Sequence, residues 1–172
     1  ITKSSIKPYT KITFRPDYNR FYGHDKLPVD MVKLLRKRVY DIAAITDKTV
    51  KVKLDGNLVP VKTLLQYIDK YGIETRVHEQ SNERWEYAIC LAPEDEFYQV
   101  SFVNGIYTSK GGKHVEYILN QIVRKLVAYI KTKKKVDVKP SSIKEQLALF
   151  LRCDIENPSF DSQTKDYMNT PS

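Results

Sequence analysis

From Val115 to Ile130 the apolar residues Val115, Ile118, Leu119, Ile122, Val123, Leu126, Val127 and Ile130 recur three and four positions apart, which places them on one broad stripe of an α-helix. A second helical pattern spans Pro28 to Ala44, with Val32, Leu35, Val39 and Ile42 on one arc and Lys33, Arg36, Lys37 and Arg38 crowding the rest. A third, shorter one runs from Lys62 to Tyr71, with Leu64, Leu65 and Ile68 on one face and Gly72 as its stop. Strict alternation predicts strands elsewhere. Tyr9 to Phe14 reads as a strand ended by Arg15-Pro16-Asp17. Val50, Val52 and Leu54 lead to a turn at Asp55-Gly56-Asn57 and a short return over Leu58 to Val61, where Pro60 points to a sheet edge. Ile73 to Val77, Trp85 to Leu91 and Tyr98 to Phe102 read as an antiparallel meander, the first two joined across Ser81-Asn82-Glu83. Pro140-Ser141-Ser142 caps a short helical turn through Glu145, and Leu147, Leu149, Leu151, Cys153 and Ile155 alternate as a final strand. The order of elements predicts an α+β (α/β layer) fold: a mixed β-sheet with helices on one face.

At 172 residues, 41% of them hydrophobic and 29% charged, the chain is long enough for one sizeable core. No run approaches the ~18 apolar residues of a membrane span, so no membrane partner is expected. The first residues carry neither an apolar signal core nor a methionine, and the chain is expected to be an excised segment of a longer protein. Cys90 and Cys153 both fall in strand patterns and are expected to be buried reduced thiols, in keeping with an intracellular setting. A net charge of +8 favours a polyanionic partner, either nucleic acid or an acidic protein surface.

The glycine pair in Ser109-Lys110-Gly111-Gly112-Lys113-His114 does not make a phosphate loop, because Tyr107 stands where glycine is needed and His114 where Ser or Thr is needed. Two readings stay open: backbone amides at a helix start meeting a phosphate beside Lys110 and Lys113, or a structural turn. The three histidines and two cysteines lack metal-ligand spacing, and no nucleophile has a plausible base. Lys131, Lys133, Lys134 and Lys135 form a basic run in an expected loop, either a phosphate contact or a solvated connector. Asn157 to Lys165 carries a rigid Asn-Pro entry and a helix-start signal at Asp161 or Ser162, which would set Lys165 near a helix N-terminus, where an anion is favoured.

Six stretches, Tyr9–Asp17, Arg36–Ala43, Arg84–Glu86, Val100–Asn104, Gly111–Val115 and Ile155–Lys165, together resemble the eukaryotic-type type IIA DNA topoisomerases, in the right order and over nearly the whole chain. The resemblance implies that residues 1–45 are the C-terminal end of a GHKL ATPase domain and residues 46–172 a transducer domain, whose fold resembles the second domain of ribosomal protein S5. It implies that Gln163 and Lys165 belong to a Gln-Thr-Lys loop reaching the nucleotide site, with Lys165 on the ATP γ-phosphate and Gln163 supporting it. It implies further that Lys131, Lys133, Lys134 and Lys135 contact double-stranded DNA. The parent enzyme would use ATP and Mg2+, act as a homodimer, and work in the nucleus, or at cytoplasmic replication sites if viral.

Two departures bear on this. The stretch from Tyr71 to Val77 is short where cellular members often carry an insertion, and the nucleotide-binding motifs of the GHKL domain and the cleavage tyrosine lie outside this sequence. The segment alone is therefore expected to be inactive, with its partners being the GHKL domain and cleavage core of the same chain. The alternatives weighed are a stand-alone S5-like nucleic-acid-binding module, using the basic run and the aromatics Tyr18 to Tyr22, and an interaction domain for an acidic partner.

Overall fold

The computed structural model describes residues 7–23 and 25–171, in two compact units, 1–36 and 37–172. In the first, α1 (Tyr18–Tyr22) forms where an aromatic connection was expected. Asp17 caps it by accepting the Arg20 amide at 3.1 Å, and Gly23, at φ 65°, ends it. Tyr9 to Phe14 is not a strand: a strand needs a hydrogen-bonded neighbour, none among the described residues pairs with it, and Tyr9, Ile12 and Phe14 are exposed. The second helix, α2 (Val29–Ile45), matches its expected extent.

Within residues 37–172 the inward side of α2 is not the expected stripe. Val39 packs on the core with Ala43 and Ala44, while Ile42 faces out. The buried acid Asp41 explains the rotation: it accepts hydrogen bonds from the Tyr67 hydroxyl (2.7 Å), Lys37 (2.9 Å) and Arg38 (3.3 Å), and a buried carboxylate survives only when so paired. Tyr67 lies on α3 (Leu64–Asp69), which Thr63 caps by accepting the Gln66 amide. Between these helices, β1 (Lys53–Leu54) and β2 (Asn57–Leu58) form a small hairpin.

The central sheet has the order β3-β4-β8-β5-β6. Its strands are β3 (Val77–Asn82), β4 (Trp85–Leu91), β5 (Tyr98–Val103), β6 (Ile106–Tyr107) and β8 (Leu147–Cys153). β3 begins at Val77 rather than Ile73, because Arg76 bonds back to the Ile73 carbonyl and to Asp69, holding residues 73–76 as a connection. The expected meander is also replaced. β8 inserts between β4, to which it is antiparallel, and β5, to which it is parallel. The sheet is therefore mixed, and the fold class is the one expected.

Helices cover both faces of this sheet rather than one. Ala148 and Phe150 of β8 pack toward α2 and α3, whereas Leu147, Leu149 and Leu151 pack toward α4 (Lys113–Lys134), with α5 (Pro140–Glu145) beside it. A strand apolar at nearly every position needs cover on both sides. Lys139 precedes Pro140 as the cap of α5, without a side-chain bond, so Ser141 and Ser142 lie inside the helix.

Candidate functional site

Two glycines and a polar hairpin build the first candidate site. β7 (Gly111–Gly112) pairs in parallel with β9 (Tyr167–Met168), and Phe160 bridges Met168 from the other side. Gly112 has φ 143°, and a Cβ there would fall inside the Met168 backbone, so only glycine permits the pairing. The structural-turn reading of the glycine pair is the one observed. Lys110 and Lys113 are engaged with Asp166 (3.7 Å) and Glu116 (2.8 Å).

No helix starts at Asp161 or Ser162. Residues 162–165 make a turn closed by the Lys165 amide on the Ser162 carbonyl at 3.1 Å, and the chain then enters β9. Local side-chain bonds compete successfully with helix formation here: the Ser162 and Thr164 hydroxyls are 2.8 Å apart, and Thr164 donates to Asp166 at 2.9 Å. The Asp166 carboxylate also accepts from Ser109 (3.2 Å), and its carbonyl accepts the Lys110 amide (2.9 Å). The Thr164 hydrogen bond, with Ser109 and Lys110, holds the Asp166 carboxyl below its usual range. Asp166 is the anchor that sequence reasoning missed; nothing in its spacing marked it.

Gln163 is exposed at the tip and Lys165 is half-buried, its ammonium 5.6 Å from the centre of the Phe160 ring. Lys165 also has φ 59°. Among the described non-glycine residues at positive φ, Asp55, Asn104 and Asn157 are types that tolerate it, whereas Lys135 and Lys165 are not. Both lysines belong to the candidate site residues.

The basic run is not a loop. Lys131, Lys133 and Lys134 form the last turn of α4 and Lys135 is its left-handed cap, where ammonium groups complement the helix dipole. Lys131 pairs with Asp137 at 2.9 Å. The hairpin is tied to the opposite end of α4, through the Tyr167 hydroxyl on Glu116 at 3.1 Å. At ~1.5 Å per residue the helix holds the two sites roughly 30 Å apart.

Beneath the glycine pair, Ser101, Thr108 and His114 form a buried polar chain. The two hydroxyls are 2.5 Å apart and Thr108 Oγ1 lies 3.1 Å from His114 Nε2. Burial pushes the imidazole down to about 4, so it is neutral. Cys90 and Cys153 are free and buried, and burial pushes the Cys153 thiol up to about 12. Among the described residues no group of three or more His, Cys, Asp or Glu could hold a metal ion, and no helix is long and apolar enough to cross a membrane.

A mixed α+β layer with this hairpin fits a known class, the ATPase regions of type II topoisomerases. The family model described as DNA gyrase B matches residues 33–172, and the chain belongs to that family. It is 48% identical to DNA topoisomerase 2-alpha of Homo sapiens over 172 residues, covering 93% of this chain and 11% of the relative. The ATPase region of Saccharomyces cerevisiae topoisomerase II superposes with a TM-score of 0.83 at 38% identity, over 91% of this chain and 40% of that one. The ATPase and transducer domains of Balamuthia mandrillaris topoisomerase II give 0.85 at 36% identity, over 92% and 40%. The chain thus spans about a tenth of the length of the curated relatives it matches.

Proposed function

We propose that this chain couples ATP turnover to gate closure and DNA strand passage in a homodimeric type II topoisomerase. Residues 1–45 complete the GHKL domain, residues 46–172 form the transducer, and the segment is inactive without the rest of the enzyme. Lys165 contacts the ATP γ-phosphate, supported by Gln163, while Lys131, Lys133, Lys134 and Lys135 contact double-stranded DNA. The Mg2+ that accompanies ATP is held by other parts of the parent, which works inside the cell, in the nucleus or at cytoplasmic replication sites.

One observation carries the reading: a lysine in a left-handed backbone conformation stands at the tip of a hairpin whose base is clamped to a glycine pair, with a ring rather than a carboxylate beside its ammonium. Backbone strain held by surrounding structure is characteristic of functional sites. A fixed cation of this kind stabilises charge on a terminal phosphoryl group, and releasing that group frees the hairpin and the helix attached to it. In the full-length enzyme, Lys165→Ala is expected to lower ATP turnover about 100-fold or more while leaving ATP-independent DNA binding intact. Unchanged turnover would overturn the assignment.

A further inference from the structure

More than half of the protein's net charge sits on one helix. α4 carries six cations (Lys113, Arg124, Lys125, Lys131, Lys133 and Lys134) against one acid, Glu116, a net +5 of the chain's +8. Three of the six share one edge of the helix, while Lys125, Lys133 and Lys134 lie on other sides. Lys113, Arg124 and Lys131 are separated by eleven and seven residues, close to whole numbers of turns at ~3.6 residues each, so they line one edge, which the left-handed cap Lys135 follows at its end. That edge is opposite the buried stripe of Val115, Leu119, Val123 and Leu126, and all four cations are exposed.

Between them on this edge lie the uncharged, exposed Tyr117, Asn120 and Ala128, with the acid Glu116 at its margin, paired to Lys113. Arg124 has no ion pair among the described residues. The pairs Lys113–Glu116 and Lys131–Asp137 are both exposed, and exposed pairs contribute only ~0–1 kcal/mol, too little to withhold an ammonium from a phosphate.

We infer that the outer edge of α4, from Lys113 through Arg124 to Lys135, is a single duplex-DNA tracking surface, of which the lysine-rich helix end is only the terminus. This rests on the DNA contact proposed above and extends it. The stripe is ~33 Å long, about the length of one turn of B-form DNA, so a straight helix lying along the duplex meets the same strand again at its far end. A rigid row of cations separated by neutral side chains suits a regular polyanion. Single-stranded nucleic acid would instead call for rows of stacking aromatics, and this edge carries Tyr117 alone.

The test is the salt dependence of affinity of this 172-residue chain for a ~30-base-pair duplex, measured by fluorescence anisotropy, with circular dichroism confirming that each variant folds. Each lost phosphate contact lowers the log–log slope by ~0.9. The double variant Lys113→Ala/Arg124→Ala is expected to lower it by about two, and Lys131→Ala/Lys134→Ala/Lys135→Ala by about three. Lys51→Ala/Lys53→Ala, which removes exposed lysines at and just before β1, should leave it unchanged.

A smaller slope in the helix-end variant with none in the double variant overturns the stripe and leaves the terminal DNA contact standing. No change in either, or no binding by the wild-type chain at low salt, overturns both. An equal fall in the β1 control shows that binding follows net charge alone and overturns the stripe. So does tighter binding to a polyglutamate peptide than to the duplex at equal salt, since an acidic protein would then be the better partner.

Discussion

β8 and the hairpin formed by residues 159–169 are neighbours in sequence, yet they are held by opposite means. In β8, all residues but Arg152 are buried, and register with β4 and β5 is fixed by side chains packed on both faces of the sheet. The hairpin buries Met168 and otherwise stands on backbone pairing to Gly111–Gly112 and on short polar bonds around Asp166. The first arrangement resists local opening, because apolar burial at ~25 cal/mol per Å2 is lost all at once. The second can open without unfolding the core, as a part that must sense a ligand requires.

The largest effect should come from the sheet. Phe150 is fully buried, with Tyr71 and Tyr98 edge-on at ring distances of 5.1 and 6.2 Å. Phe150→Ala is expected to cost about 3–5 kcal/mol of global stability, read as a fall in Tm and in denaturation midpoint together. A loss below ~1 kcal/mol would mean that β8 is not the keystone of the sheet.

Next is the buried chain under the glycine pair. The His114 imidazole is held near 4 in the folded protein against about 6.5 when free. The unfolded chain therefore takes up the proton first. Stability is fully present above about pH 6.5 and is lost as pH falls toward 4, by up to about 3 kcal/mol. Carboxylates such as Glu116, held low by Lys113, act at lower pH, so melting curves between pH 6.5 and 5 report on the histidines, among which His114 is buried. A His114 imidazole resonance titrating near 6.5 in the folded protein would remove this source of acid sensitivity.

The same contrast explains what could be read from the sequence. Helices α3 and α4 were legible because each buries a stripe of its own residues at local spacing, and β4, β5 and β8 because alternation or continuous apolarity survives in them; α2 was legible in extent, but the face it buries, Asp41, Ala43 and Ala44, was not. The insertion of β8 between β4 and β5 was not legible. Pairing across some fifty residues leaves no local periodicity, and proximity in sequence pointed to a meander instead. Gln163 and Lys165 were singled out through a motif, but their setting was misread as a helix start. Ser162 and Thr164 satisfy each other and Asp166 in a turn, and composition alone cannot separate that from a cap. Asp41 and Asp166 were missed for a shared reason: an acid's importance depends on which cations and hydroxyls the fold brings to it. The lysine run was found, while its placement on a helix end rather than in a loop followed from α4 continuing past its last buried turn.

The smallest effect on global stability, and the sharpest separation of the two regions, should come from Gly112→Ala. The new Cβ cannot coexist with the Met168 backbone, and φ 143° is a conformation that L side chains rarely adopt. The strain alone is of order 1–3 kcal/mol. The chain can relieve it by releasing β9 from β7, which sacrifices a few hydrogen bonds worth about 1 kcal/mol each. The cost should therefore be confined to the hairpin. Amide exchange is expected to accelerate at Lys110, Lys165 and Asn169, whose amides bond to Asp166, Ser162 and Ser159, while β8 amides keep their wild-type protection. In the full-length enzyme the same variant should lower ATP turnover although Lys165 is still present, because its ammonium is no longer held in place. Equal acceleration of exchange in β8 would show that hairpin and sheet open as one cooperative unit, and the hairpin could not then act as a separately releasable sensor.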